Sequence, residues 1–203
     1  PFVYSLKEIY ALRDANGAPV LRKGSQEAFL QFLKDKMRPP AGKLVPELAK
    51  SWTVSPDGKR VTFERQQGVT FHDGTPFNAE AVKFNYDRLL DPKDAKTVYN
   101  YFTDVESFQV VDAYTIAMNL KRPSAVVMDA LTYRGGFIVS PTAFRKLGAD
   151  YVRAPVGTGP FKWAEEIPGS QVVLTRNENY WEKGADGKSL PYLDKIVLRM
   201  YQA

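Results

Sequence analysis

No cysteine occurs in the 203 residues, which excludes disulfides, thiolate zinc sites and thiol nucleophiles. Histidine is nearly as scarce: His72 is the only one, so no second imidazole exists to share a metal. No apolar run approaches the roughly 20 residues that a membrane-spanning helix needs. Basic blocks are missing as well. The 28 Lys and Arg and 23 Asp and Glu leave a net charge of +5, but the basic residues stand singly or in pairs such as Arg22-Lys23 and Lys121-Arg122. That is a solvated mixed surface, and no nucleic-acid partner is expected. What the chain does have is core material, with 44% hydrophobic residues, enough for one large domain or two small ones. It opens on Pro1-Phe2 without Met and ends just after a strand-like run, so it reads as a piece of a longer protein.

Local patterns alternate between strand and helix without a regular βαβ order. Asn16-Gly17 has the form of a hairpin turn, and Ser25 that of an N-cap for a helix near 25–37, stopped by Pro39-Pro40. "LVPELAKSW" is expected to form a short helical turn. Pro56-Asp57-Gly58 is expected to turn the chain between two extended pieces, with Val61 and Phe63 on one face of the second. "GVTF" reads as a further short strand. Asn78 then caps a helix to Leu90 on which Ala79, Val82, Tyr86 and Leu89 share a face, and Asp91-Pro92 closes it.

"VESFQVVDAYTIAMNLK" is the clearest hairpin, with Tyr114, Ile116, Met118 and Leu120 in alternation and Asp112-Ala113 at the bend. A short helix is expected across 124–132, and another opening at Pro141. "GPFKWAEEI", "QVVLTRN" and "DKIVLRMY" supply three more strands. The fold class expected is mixed α/β, of the α+β kind.

Candidate chemistry is thin. His72-Asp73 invites a general-base reading, but neighbours on an extended chain point to opposite sides, so Asp73 does not orient its own neighbour. Asp73-Gly74-Thr75-Pro76 is turn chemistry, leading into the Asn78 cap. Glu165-Glu166 fails as a carboxylate pair for the same geometric reason. Gly157-Thr158-Gly159-Pro160 is followed by a strand and is no phosphate loop. Ser124 and Ser140 lack a nucleophile-elbow context. No catalytic residue, metal ligand or cofactor site is assigned. The aromatics are more telling: "VYNYF" places three rings in five residues, and "TYRGGF" sets Tyr133 and Arg134 before two glycines that loosen the backbone. Rings and a guanidinium in loops suit the wall of a polar-ligand site, and equally the cover of a core.

Taken in order, "LVPELAKSWTVSPDGKRVTF", "GVTFHDGTPFNAEAVKFNYDRLLDP", "VVDAYTIAMNLKRP", "FIVSP", "PVGTGPFKW", "VVLTRNENYW" and "PYLDKIVLRM" resemble the bacterial solute-binding proteins of the oligopeptide/dipeptide/nickel class, family 5, which feed ABC importers. The likeness runs from about Leu44 to Met200. It departs at Glu64-Arg65-Gln66-Gln67, where the family has an apolar and then a basic residue, so that strand is expected to end early or pair loosely. The first 42 residues match poorly and form a variable region.

The resemblance implies a fold of the type II periplasmic-binding-protein kind, present in part. It assigns 43–140 to a small extra domain and 141–203 to part of the hinge-bearing first lobe, the second lobe lying outside the chain. It further implies a small solute, a peptide first of all, a membrane permease as partner, and a periplasmic or membrane-anchored extracellular location. Ligand-facing roles carry over to Tyr101 and Arg134, with Tyr99, Phe102 and Tyr133 as neighbours. Two other functions stay open: a hydrolase-type domain acting on peptides or sugars, and a protein-docking or sensing module.

Overall fold

The computed structural model describes residues 44–91 and 99–200, with the backbone alone for Tyr99 and Arg134. The expected N-terminal turn and the helix near 25–37 lie outside those residues. Two compact units are present: Leu44–Gly159 together with Asn179–Trp181, and Pro160–Glu178 together with 182–200.

The first unit is built on a four-stranded antiparallel sheet in the order β1 (Ala49–Val54), β2 (Arg60–Arg65), β4 (Thr115–Leu120), β3 (Val105–Asp112). Its first turn forms as the sequence dictates. Gly58 takes a positive φ of 68°, and Asp57 Oδ1 accepts from Lys59 N at 3.1 Å while Ser55 Oγ accepts from Arg60 N at 2.9 Å. Central strand β4 buries Ile116, Met118 and Leu120 on one face and Ala117 on the other. Tyr114 does not join that buried row. It precedes the strand, is 46% exposed, and carries the Arg65 guanidinium 4.5 Å above its ring.

Three expectations are corrected here. "LVPELAKSW" forms no helical turn: Ala49–Val54 is strand β1, because pairing Trp52 with Phe63 and Val54 with Val61 completes a ladder that a lone helical turn would forgo. "GVTF" is not a strand. Its chain folds back on itself through one bridge, Thr70 to Pro76, with Phe71 N donating to Thr75 O at 2.8 Å and Phe77 N to Val69 O at 3.0 Å. This small loop buries Val69, Phe71 and Phe77, the two Phe rings edge-on at 5.9 Å. The strand ahead of it does not end early either. β2 runs through to Arg65, and the irregularity expected there is a register slip in the partner strand, between Ala49 and Ser51.

Helix α1 (Ala79–Leu90) covers the sheet. Asn78 Oδ1 accepts from Ala81 N at 2.8 Å, Glu80 lies in the first turn, and Asp91 closes the end. Ala79, Ala81, Val82 and Tyr86 are buried, and the Tyr86 ring stacks on Phe108 at 4.2 Å. Burial pushes the Tyr86 phenol well above its ordinary pKa. Two further short helices follow, α2 (Ala125–Leu131) and α3 (Pro141–Leu147), the latter capped by Ser140 Oγ accepting from Ala143 N.

The first unit runs on through residue 140 to Gly159. Backbone bonds hold its last stretch to the rest: Ser140 N donates to Val156 O at 2.9 Å and His72 N to Gly157 O at 2.9 Å.

In the second unit, β5 (Phe161–Ile167), β6 (Gln171–Arg176) and β7 (Lys195–Arg199) form an antiparallel sheet in that order. Trp163, Leu174 and Ile196 align across it, as do Glu166, Val172 and Leu198. Gly169 turns the β5–β6 hairpin at φ 74°.

Candidate functional site

His72 and Asp73 are fasteners. His72 Nε2 lies 2.9 Å from Gly159 O, and Nδ1 accepts from Gly157 N at 3.4 Å. A neutral imidazole with its proton on Nε2 meets both bonds, so each ring nitrogen is committed to backbone. Asp73 does not orient it. Asp73 Oδ1 accepts from Thr75 N and Oγ1, at 3.0 and 2.6 Å, and Oδ2 accepts from Ser140 Oγ at 2.6 Å. Burial pulls the Asp73 carboxyl upward, but the bonds from Ser140 and Thr75 together outweigh it and hold the group below the usual carboxylate value. Ser140 Oγ thus joins Asp73 to the first turn of α3, 67 residues away, and is completely buried. Asn85, 2% exposed, works beside this latch. Its Nδ2 donates to Val139 O at 2.9 Å and its Oδ1 accepts from Val139 N at 3.0 Å, as a neighbouring strand would.

Asn85 thereby fixes the chain two residues after the second aromatic segment, while the first is closed by Val105 N donating to Phe102 O at 2.9 Å. Tyr99–Tyr101 is a single 3₁₀ turn, and Arg134–Gly136 is another; both pack against α2. Within the first segment neighbours part company: Phe102 is fully buried and Tyr101 is 50% exposed. Phe102 is therefore a core residue that supports the segment from behind, 6.0 Å from the Tyr86 ring, and no solute reaches it in this packing. The second segment continues α2. Thr132 N and Oγ1 both donate to Asp129 O, Tyr133 N donates to Ala130 O at 3.2 Å, and Gly136 N to Tyr133 O at 3.0 Å.

The two glycines do not loosen this backbone. They let it close. A Cβ on Gly135 would sit 2.6 Å from Phe102 Cζ, and one on Gly136 would overlap the Leu131 carbonyl. Gly135 against the Phe102 ring is thus where the "VYNYF" and "TYRGGF" segments meet. Outside this seam stand Tyr101, Tyr133 at 60% exposure and Phe137 at 72%. Arg134 and Tyr99 lie in the two 3₁₀ turns themselves. Phe137 stands with these exposed rings although only Tyr133 and Arg134 of its segment were expected at the site; an aromatic directly after Gly135-Gly136 was the signal.

Among the described residues, no group of three or more His, Cys, Asp or Glu side chains is placed to hold a metal ion, and no helix is long and apolar enough to cross a membrane. Glu165 and Glu166 are exposed near the end of β5, opposite Val173 and Val172. The first unit presents Tyr101, Tyr133 and Phe137 to solvent around the Gly135–Phe102 contact, with Arg134 directly after Tyr133 in the second turn.

Proteins of known role share this architecture. The sequence profile of the bacterial extracellular solute-binding proteins, family 5 Middle, matches residues 43–203. The chain is 36% identical over 157 residues to the glutathione-binding protein GsiB of Escherichia coli K12, a match that covers 77% of this chain and 30% of GsiB. Among solved structures it is similar to AgaA of A. tumefaciens R10 in complex with agropinic acid, with a TM-score of 0.71, 34% identity, and coverage of 79% of this chain and 31% of AgaA. It is also similar to the periplasmic binding protein DppA of Helicobacter pylori in complex with the peptide STSA, with a TM-score of 0.66, 30% identity, and coverage of 81% and 35%. The chain belongs to the family 5 solute-binding proteins. It spans about a third of the length of the relatives it matches.

Proposed function

We propose that this chain is part of the substrate-binding component of an ABC importer, which holds a small polar solute by lobe closure and hands it to a membrane permease. The observation that carries the reading is the pinned pair of segments in the first unit. Tyr101 and Tyr133 stand half-exposed on two turns that meet at Gly135 and Phe102, with Arg134 in the second turn. A wall fixed before the ligand arrives loses little conformational freedom on binding. Tyr99, Tyr101, Tyr133 and Arg134 are the proposed ligand-facing residues, and Phe102 backs them.

The unit from Leu44 to Gly159 is the proposed small extra domain, and β5 to β7 the proposed part of the hinge-bearing first lobe. A second lobe supplies the opposite wall, and closure about the hinge shifts the population toward the form that a permease accepts. A peptide is the preferred solute. The names of the relatives support this, since one is a glutathione-binding protein and another was solved with a peptide. A periplasmic location, with or without a membrane anchor, follows from the same reading.

The test is calorimetric titration of the full-length protein against panels of peptides, sugars and metal chelates. Micromolar or tighter binding of one class is expected, weakened at least 10-fold by Arg134→Ala or Tyr101→Ala. Binding of nothing in any panel contradicts the importer reading.

A further inference from the structure

Phe137 does not join the core it adjoins. It is 72% exposed, on a stretch of backbone held at both ends. On one side Gly136 is seated under the Leu131 carbonyl and donates to Tyr133 O. On the other, both backbone groups of Val139 are held by the buried Asn85 amide. Its own φ of −75° and ψ of 120° are ordinary extended values, so the ring is presented to solvent without strain and without a loose loop to fold it away. A large apolar side chain fixed in water forgoes the stabilisation that burial would give. Tyr101 and Tyr133 each offer water a hydroxyl; Phe137 offers none.

We propose that Phe137 is a specificity-determining residue, covering an apolar side chain or chain segment of the solute. This rests on the binding reading above and narrows it: the solute carries an aliphatic or aromatic group besides its polar ones. A contact that removes a phenyl ring and its partner from water is worth about 10- to 100-fold in affinity.

The full-length protein, wild type and with Phe137→Ala, Phe137→Leu or Tyr101→Ala, is titrated calorimetrically with Met-Leu, Gly-Gly and a sugar panel. Wild type is expected to bind Met-Leu at least 10-fold tighter than Gly-Gly. Phe137→Ala should remove most of that ratio and Phe137→Leu restore part of it, with melting temperatures unchanged because the ring is exposed. An unchanged ratio in Phe137→Ala overturns the inference. If Tyr101→Ala still weakens binding in that case, the importer reading stands. A wild type that shows no preference for Met-Leu, or binds only sugars, likewise overturns the role of Phe137 and leaves the importer reading intact. Binding of no solute at all removes both.

Discussion

Replacing Asn85 by Ala probes the latch behind the wall. The side chain is 2% exposed, and its loss leaves both the N–H and the C=O of Val139 without partners. An unmet backbone group costs about 1–3 kcal/mol. Val139 is only half-buried, so water relieves part of that, and the pair together should cost about 2–4 kcal/mol. The third bond, Nδ2 to Ala81 O, adds little, because that carbonyl sits in α1 and has a helical partner of its own. Urea unfolding followed by tryptophan fluorescence reads the change, since Trp52 and Trp181 both pack against this core. Hydrogen exchange at the Val139 amide should quicken in parallel. Asn85→Asp is the sharper variant: it keeps an acceptor for Val139 N–H but turns a carboxylate toward two carbonyl oxygens, and should destabilise at least as much at neutral pH. A loss below about 0.5 kcal/mol in Asn85→Ala, the scale of an ordinary surface change, with Val139 exchange unaltered, refutes the latch.

Other outcomes follow from the same geometry. Phe102→Ala should cost about 3–5 kcal/mol as a buried ring lost from the core, while its neighbour Tyr101→Ala stays within about 0.5 kcal/mol, both read by urea unfolding. Gly136→Ala should destabilise by more than about 2 kcal/mol because its Cβ meets fixed backbone, whereas Gly157→Ala, whose nearest neighbour is 3.9 Å away, should be tolerated; thermal melts compare them. Asp73 has a folded pKa below its unfolded value, so its contribution is present above pH 3.8 and is lost as the pH falls through the lower folded value. The stability gap between wild type and Asp73→Asn should therefore narrow on acidification through that window in pH-dependent melts.

The sequence carried α1 and, Tyr114 apart, the β3–β4 hairpin, because each is specified within a dozen or so residues. Asn78 caps, Ala79, Val82 and Tyr86 repeat at helical spacing, and Ile116, Met118 and Leu120 alternate. Of β1 only the end before Pro56-Asp57-Gly58 was read as extended, and its start was read as helical, for the opposite reason. "LVPELAKSW" has good helical residues, and only pairing with β2 makes it a strand. The tie from His72 to Gly159 was not legible, because it joins residues 87 positions apart. The site divided similarly. Its two segments could be read from aromatic content, but the split between Tyr101 outside and Phe102 inside depends on where Gly135 lies. "HDGTPFNAEAV", the most recognisable string in the chain, turned out to be the fastener for "FIVSP" and "PVGTGP", two other strings of the resemblance.

Hydrogen–deuterium exchange on the full-length protein, with and without a saturating solute, tests the central claim most directly. Slower exchange on ligand addition is expected across 99–102 and 133–137, with little change across 72–78, whose bonds are internal and already made. Protection confined to 72–78, or absent from both aromatic segments while the solute is bound, contradicts the account.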